Sequence, residues 1–150
     1  MSRITKYALS DLYEMSSGIS STKEQAGHGA PFVSFSTVFN NYFLPDELPD
    51  LMDTNEKEQE IYSIKAGDVL ITRTSETIDE LAMSCVAVKD YPKATYSGFT
   101  KRLRPKKEGI AYPKYMAFYF RSELFRKAVT NNAFMTCLLY TSDAADDMQC

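Results

Sequence analysis

The chain has 150 residues, 44% of them hydrophobic, and a formal net charge of −3, which is material for a single globular core. It holds no apolar run near the roughly 18 residues that a membrane span requires, and its N-terminal Met-Ser-Arg-Ile-Thr-Lys-Tyr lacks the apolar segment of a signal peptide. Three cysteines and one histidine have neither the number nor the spacing of a disulfide framework or a zinc site, so the expectation is a cytoplasmic domain with no membrane contact, no metal and no cofactor of its own.

Charge is unevenly placed. Residues 1–60 hold four Lys/Arg against ten Asp/Glu, whereas residues 61–136 hold thirteen against seven. An acidic whole therefore does not exclude a nucleic-acid partner, because a local patch decides binding. Tyr7 to Ser17 alternates loosely and ends at Gly18, predicting a short turn and a first strand at about Leu12 to Ser16. Ser16, Ser17, Ser20, Ser21, Thr22 and Lys23 then fill a loop. After a Gly27-His-Gly turn, Pro31-Phe-Val-Ser-Phe-Ser-Thr-Val-Phe reads as a second strand running into a helical turn, with Ser34 and Ser36 on one face. Pro45 to Glu60 carries seven acids and one lysine. It reads as a solvated surface with a short helix from about Asn55 to Tyr62, capped by Thr54 or Asn55.

Residues 67–105 carry three β-branched and aromatic runs, each bounded by Gly, Pro, Asp or Ser, and predict three successive strands. In Val69-Leu-Ile-Thr-Arg-Thr the apolar residues come first, so a core strand ends in the donors Arg73, Thr74 and Ser75. Met83-Ser-Cys-Val-Ala-Val follows a helical turn at Thr77-Ile-Asp-Glu-Leu-Ala, for which Ser75 and Thr77 can supply cap oxygens, and it makes Cys85 a buried small hydrophobe. The third run ends with Ser97, Thr100, Lys101, Arg102 and Arg104. Between Tyr91 and Lys107 there are six Lys/Arg and no acid, interleaved with Tyr91, Tyr96 and Phe99. That is the composition of a nucleic-acid surface or of a basic edge strand kept soluble by lysine.

From Pro113 the period changes to helical. Met116, Phe120, Leu124 and Ala128 recur every fourth residue, flanked by Tyr119, Phe125 and Val129, and predict an amphipathic segment packed on the sheet. Ser122 before Glu123 reads as a cap dividing it into two helices. Arg121, Arg126 and Lys127 lie off the apolar face, where they could touch a DNA backbone or a neighbouring subunit. The predicted fold is α+β: a mixed, curved sheet with short helices and a C-terminal helical segment.

Three stretches carry a family resemblance: Gly67-Asp-Val-Leu-Ile-Thr-Arg-Thr-Ser, Ser97-Gly-Phe-Thr-Lys-Arg-Leu-Arg-Pro and Pro113-Lys-Tyr-Met-Ala-Phe-Tyr-Phe-Arg-Ser-Glu-Leu-Phe-Arg-Lys. Together, from about Tyr7 to Thr136, they resemble a target recognition domain of the specificity (S) subunit of type I restriction-modification systems. The resemblance implies sequence-specific binding of double-stranded DNA, one half of a bipartite target being read, without chemistry in this chain. It also implies methyltransferase (M) and restriction/translocase (R) partner subunits, which would bring S-adenosylmethionine-dependent adenine methylation and ATP-driven cleavage. With the basic run, it makes Arg73, Thr74, Ser75, Ser97, Thr100, Lys101, Arg102 and Arg104 the expected DNA face, Lys101 and Arg104 holding phosphates and Arg73 reading base edges. Gly-rich phosphate loops, Gly-x-Gly-x-x-Gly and Asn-Pro-Pro-Tyr-like motifs are absent from the sequence. Residues 1–136 are read as one recognition domain. Cys137-Leu-Leu-Tyr-Thr-Ser-Asp-Ala-Ala-Asp resembles a translated transposase sequencing adapter, which sets residues 137–150 aside as an artefactual or disordered tail. Two rivals stand beside this reading: the recognition domain of a single-chain restriction enzyme-methyltransferase, and an interaction domain whose basic strand meets an acidic protein.

Overall fold

A computed structural model of the chain describes residues 12–73, 82–107, 109 and 112–127. The architecture is α+β, as predicted, and it is built around β4 (Val69–Thr72), four consecutive buried residues. A run buried on both faces belongs inside a sheet, and β4 lies between β7 (Thr100–Pro105) and β5 (Ser84–Val86), with β1 (Tyr13–Ser17) beyond β7. All three pairings are antiparallel. Val69 stands opposite both Leu103 and Val86, and Tyr13 opposite Pro105.

The two-residue period of β4 divides the core. Val69 and Ile71 enter one cluster with Tyr13, Val86, Leu103, Phe120 and Phe125, while Leu70 enters another with Val33, Val38, Cys85 and Tyr96. The C-terminal helical segment covers the first face. On the second lie α1 (Phe35–Asn40) and a smaller sheet, ordered β3 (Asp50–Met52), β2 (Ala26–Val33), β6 (Thr95–Tyr96), in which β2 runs antiparallel to β3 and parallel to β6.

Several expectations are corrected by this arrangement. The single curved sheet is two sheets, because a tight turn at Ser97-Gly98-Phe99 splits the third run into β6 of one and β7 of the other. Gly27-His-Gly is no turn before the second strand but a bulge within it: Ala26 and Ala30 both oppose Met52, and Gly29 adopts φ +99°. The acidic stretch contributes an edge strand, β3, besides its helix. Ser34 and Ser36 share no strand face, since Ser34 caps α1 by accepting from the Thr37 N–H at 3.2 Å and Ser36 lies inside that helix.

The second helix, α2 (Glu56–Ile61), starts where the sequence places it. Asn55 Oδ1 accepts from the Glu58 N–H at 2.8 Å and Glu58 Oε1 accepts from the Asn55 N–H at 3.0 Å, a reciprocal capping box. Then α3 (Pro113–Tyr119) ends, and Ser122 Oγ accepts from the Phe125 N–H at 3.3 Å to start a further helical turn over residues 123–127. The interruption resets the helical phase. Met116 and Phe120 are buried as predicted, but Leu124 is 71% exposed and Phe125, 1% exposed, takes the core position instead. Cys85 is buried, and that burial pushes its thiol up to about 12. The turn expected at Thr77 to Ala82, apart from Ala82 itself, lies outside the described residues, as do Ala128, Val129 and the 137–150 tail. Among the described residues no helix is long and apolar enough to cross a membrane.

Candidate nucleic-acid interface

Because β7 is antiparallel to both β1 and β4, three chain segments leave the four-stranded sheet at one end: Ser17 stands opposite Lys101, and Thr72 opposite Thr100. Here the segment after β1, the β6–β7 turn and the end of β4 at Arg73 are tied together through their backbones. Ile19 bridges Ser97; the Gly98 N–H donates to the Ile19 carbonyl at 2.9 Å, the Gly18 N–H to Thr100 at 3.3 Å and the Arg73 N–H to Phe99 at 3.0 Å. The approach is close enough to require glycine at position 18. A Cβ there would come within 2.6 Å of the Tyr96 carbonyl oxygen and closer still to that of Ser97. Beyond Gly18, the exposed Ser20, Ser21, Thr22 and Lys23 run on toward β2.

The predicted site residues divide into those that reach this end and those that do not. Arg73 reaches it, half-buried, its Nη1 donating to the Gly98 carbonyl at 3.1 Å. Thr74 and Ser75 follow it in sequence and lie outside the described residues. Ser97 and Thr100 are at the same end, but their hydroxyls serve the turn: Ser97 Oγ accepts from the Phe99 N–H at 3.1 Å, and Thr100 Oγ1 donates to the Ser97 carbonyl at 2.7 Å.

The basic side chains of β7 are not the open phosphate-holding stripe expected of them. Lys101 is 3% exposed and Arg102 9%. Arg102 donates from Nη1 to the Ser63 carbonyl at 2.6 Å and lies 5.5 Å from the centre of the Tyr96 ring. Arg104 grips the buried Asp68 with two parallel bonds, Nε to Oδ1 at 2.9 Å and Nη2 to Oδ2 at 2.7 Å, and the hydrogen-bonded carboxylate holds its guanidinium pKa above the ordinary value. The physical reason is the sheet itself. An interior strand buries alternate side chains on both faces, whatever their charge, and long cations there must find internal acceptors. Lys106 and Lys107 are exposed, but they follow the far end of β7, where Lys107 lines a cleft of about 560 Å3 with Lys65, Arg104 and Tyr112.

Arg121 is corrected in the same sense. Expected to meet DNA or a neighbouring subunit, it donates from Nη2 to the carbonyls of Val38, Phe39, Asn41 and Ser84 at 2.7–3.1 Å and lies 4.7 Å from the Tyr42 ring centre. It thereby satisfies carbonyls at the end of α1 that a helix leaves without partners, and desolvation lowers its pKa. Phe99, named in the sequence only as one of the aromatics interleaved with the basic run and given no role of its own, stands 63% exposed at the tip of the β6–β7 turn. An aromatic residue directly after Ser-Gly was the available signal.

Two sheets joined at one loop-bearing end define a fold already seen in solved structures. The chain is similar to the HsdS subunit from Thermoanaerobacter tengcongensis, with a TM-score of 0.63 and 14% identity over 97% of this chain and 32% of that one. It is also similar to the type I restriction-modification system S subunit from M. genitalium, with a TM-score of 0.55 and 9% identity over 95% of this chain and 37% of that one. In sequence it is 26% identical over 131 residues to the type I restriction enzyme EcoKI specificity subunit of Escherichia coli (strain K12), a match covering 87% of this chain and 27% of the subunit. No protein-family model matches. The resemblance read in the sequence is borne out on both counts, and the chain spans about a quarter of the length of that curated relative.

Proposed function

We propose that the chain reads DNA sequence, as a target recognition domain that contacts one half of a bipartite duplex site and leaves methylation and cleavage to M and R partner subunits. The observation that carries this reading is the convergence of Arg73, the β6–β7 turn and the exposed Ser20 to Lys23 segment at one end of the sheet, in a chain with the fold of type I specificity subunits. A rigid sheet end carrying loops is the general arrangement for specificity, and a half-buried guanidinium anchored at one nitrogen suits base-edge recognition in a groove. The DNA face proposed here comprises Arg73, Thr74, Ser75 and Lys23. Ser97 and Thr100 shape it, while Lys101, Arg102 and Arg104 support the sheet beneath it.

The test begins by selecting a preferred duplex from a random pool with the full chain at low salt. Arg73→Ala should then weaken the preferred duplex by about 1–3 kcal/mol and an unrelated duplex far less. Lys23→Ala should weaken both alike and reduce the salt slope by about 0.9. Lys107→Ala, at the opposite end, should leave the preference unchanged. If Arg73→Ala and Lys23→Ala alter neither affinity nor preference, while Lys107→Ala does, the DNA face lies at the far cleft.

A further inference from the structure

The β6–β7 turn is fully hydrogen-bonded along its backbone. Every backbone N–H and carbonyl of Ser97, Gly98, Phe99 and Thr100 has a partner within the protein: Ser97 N–H with Val33, Gly98 N–H with Ile19, Phe99 N–H with Ser97 Oγ and Thr100 N–H with the Ser97 carbonyl. The Gly98, Phe99 and Thr100 carbonyls are taken by Arg73 Nη1, the Arg73 N–H and the Gly18 N–H. Four consecutive residues are therefore immobilised from three different segments of the chain. On this platform the Phe99 side chain stands 63% exposed.

A single exposed apolar residue is ordinary on a protein surface. Phe99 differs in its setting. The exposed aromatic residues Tyr42, Tyr115 and Phe118 each lie against another ring, whereas among the described residues no ring lies against Phe99 or Tyr112, and of these two only Phe99 sits on the fully bonded turn beside Arg73. Its backbone is held by bonds that a looser, polar turn residue would not need, beside the guanidinium proposed to read a base edge. A ring pre-positioned in this way can bury apolar surface on a partner with little further loss of conformational freedom. On a base edge in the major groove the apolar feature is the thymine C5-methyl group, and the recognised contacts to it are apolar side chains, phenylalanine among them.

We infer that Phe99 is a specificity-determining residue that packs on a thymine methyl group in the DNA contacted by this end of the sheet. The inference deepens the DNA-recognition reading and rests on it. It adds an apolar, methyl-sensing contact to the polar ones and assigns it to a single ring.

The experiment runs the random-duplex selection in parallel with the full chain, Phe99→Ala, Phe99→Leu and Arg73→Ala. The wild-type chain should enrich a motif with a fixed thymine, and deoxyuridine at that position should weaken binding about fourfold, the effect of one buried methyl-sized group. Phe99→Ala should lose the base preference at that position alone and bind the thymine and deoxyuridine duplexes equally, while Phe99→Leu, still apolar, keeps part of the discrimination. Thermal unfolding of Phe99→Ala should match wild type, since the ring is outside the core. If Phe99→Ala enriches the same motif with the same thymine-to-deoxyuridine ratio while Arg73→Ala flattens it, the inference fails and the DNA-recognition reading stands. A motif that Phe99→Ala loses but that is indifferent to deoxyuridine at every thymine also overturns it, in favour of a ring wedged between base steps. Enrichment of no duplex by the wild-type chain would overturn both.

Discussion

Leu124 and Phe125 are neighbours on opposite sides of the burial boundary, and the reason is one hydroxyl. A continuous helix would place Leu124 beneath Phe120, but the Ser122 cap restarts the helix and rotates Phe125 into that place. Phe125→Ala should therefore cost about 3–5 kcal/mol, while Leu124→Ala should stay within about 0.5 kcal/mol. Urea unfolding of the two variants checks this, and equal losses would restore the uninterrupted helix. The Arg104–Asp68 pair makes a second residue-scale prediction. Replacing Arg104 by Met leaves a carboxylate that is 1% exposed without its counter-ion and, among the described residues, with only the Lys65 N–H as a neutral donor. That should cost about 3–5 kcal/mol, whereas Arg104→Met combined with Asp68→Asn, which keeps an acceptor for that N–H, should recover part of the loss. A double-mutant cycle in which the two losses simply add would show that the ion pair has no special standing.

At the scale of elements, what is encoded locally was legible. The apolar run of β4, the Asn55 cap, the division at Ser122 and the burial of Cys85 each depend on residues close in sequence, and each appears as read. What depends on pairing partners was not legible. Nothing within Asp50-Leu-Met shows that it lies beside β2, and nothing within Thr-Lys-Arg-Leu-Arg-Pro shows that its cations will be enclosed by neighbouring elements rather than meet solvent. The candidate site followed the same division. Arg73 follows the end of β4, as its position after an apolar run implied, but the Ser97 turn was read as part of one continuous strand, and Lys101, Arg102 and Arg104 were assigned by charge alone, which does not report burial. The junction at Gly18 is the least visible of these features and carries a prediction. Gly18→Ala forces a methyl group into backbone carbonyls that cannot move without breaking the β6–β7 turn, so it should cost about 1–3 kcal/mol, of the order seen for overpacking. If the sheet end meets DNA as proposed, the same substitution should also erode sequence preference more than affinity. An unchanged melting temperature would mean that the junction relaxes easily.

For the molecule as a whole, the separation of charge along the sequence does not become a simple division of surfaces. The acidic residues of α2 remain at the surface, as read, but the most basic strand is interior, and its cations are used to hold the fold. The cations of β7 are thereby committed to the fold, and the exposed chemistry at the other end of the sheet rests on different residues.

The pairing of β1 with β7 also sets a condition on how the chain reaches this state. These are the first and last strands in the described chain, with Tyr13 opposite Pro105, so the outer strand of the larger sheet cannot dock until nearly all of the domain exists. Such long-range closure is slow relative to helix or hairpin formation. On a ribosome, β1 would wait, unpaired, through the synthesis of everything up to β7, exposing an edge that can capture other chains. The loops between them can meanwhile change length at small entropic cost, since closure entropy grows only with the logarithm of loop length. The same topology that delays folding thus tolerates changes of length in the loops it closes.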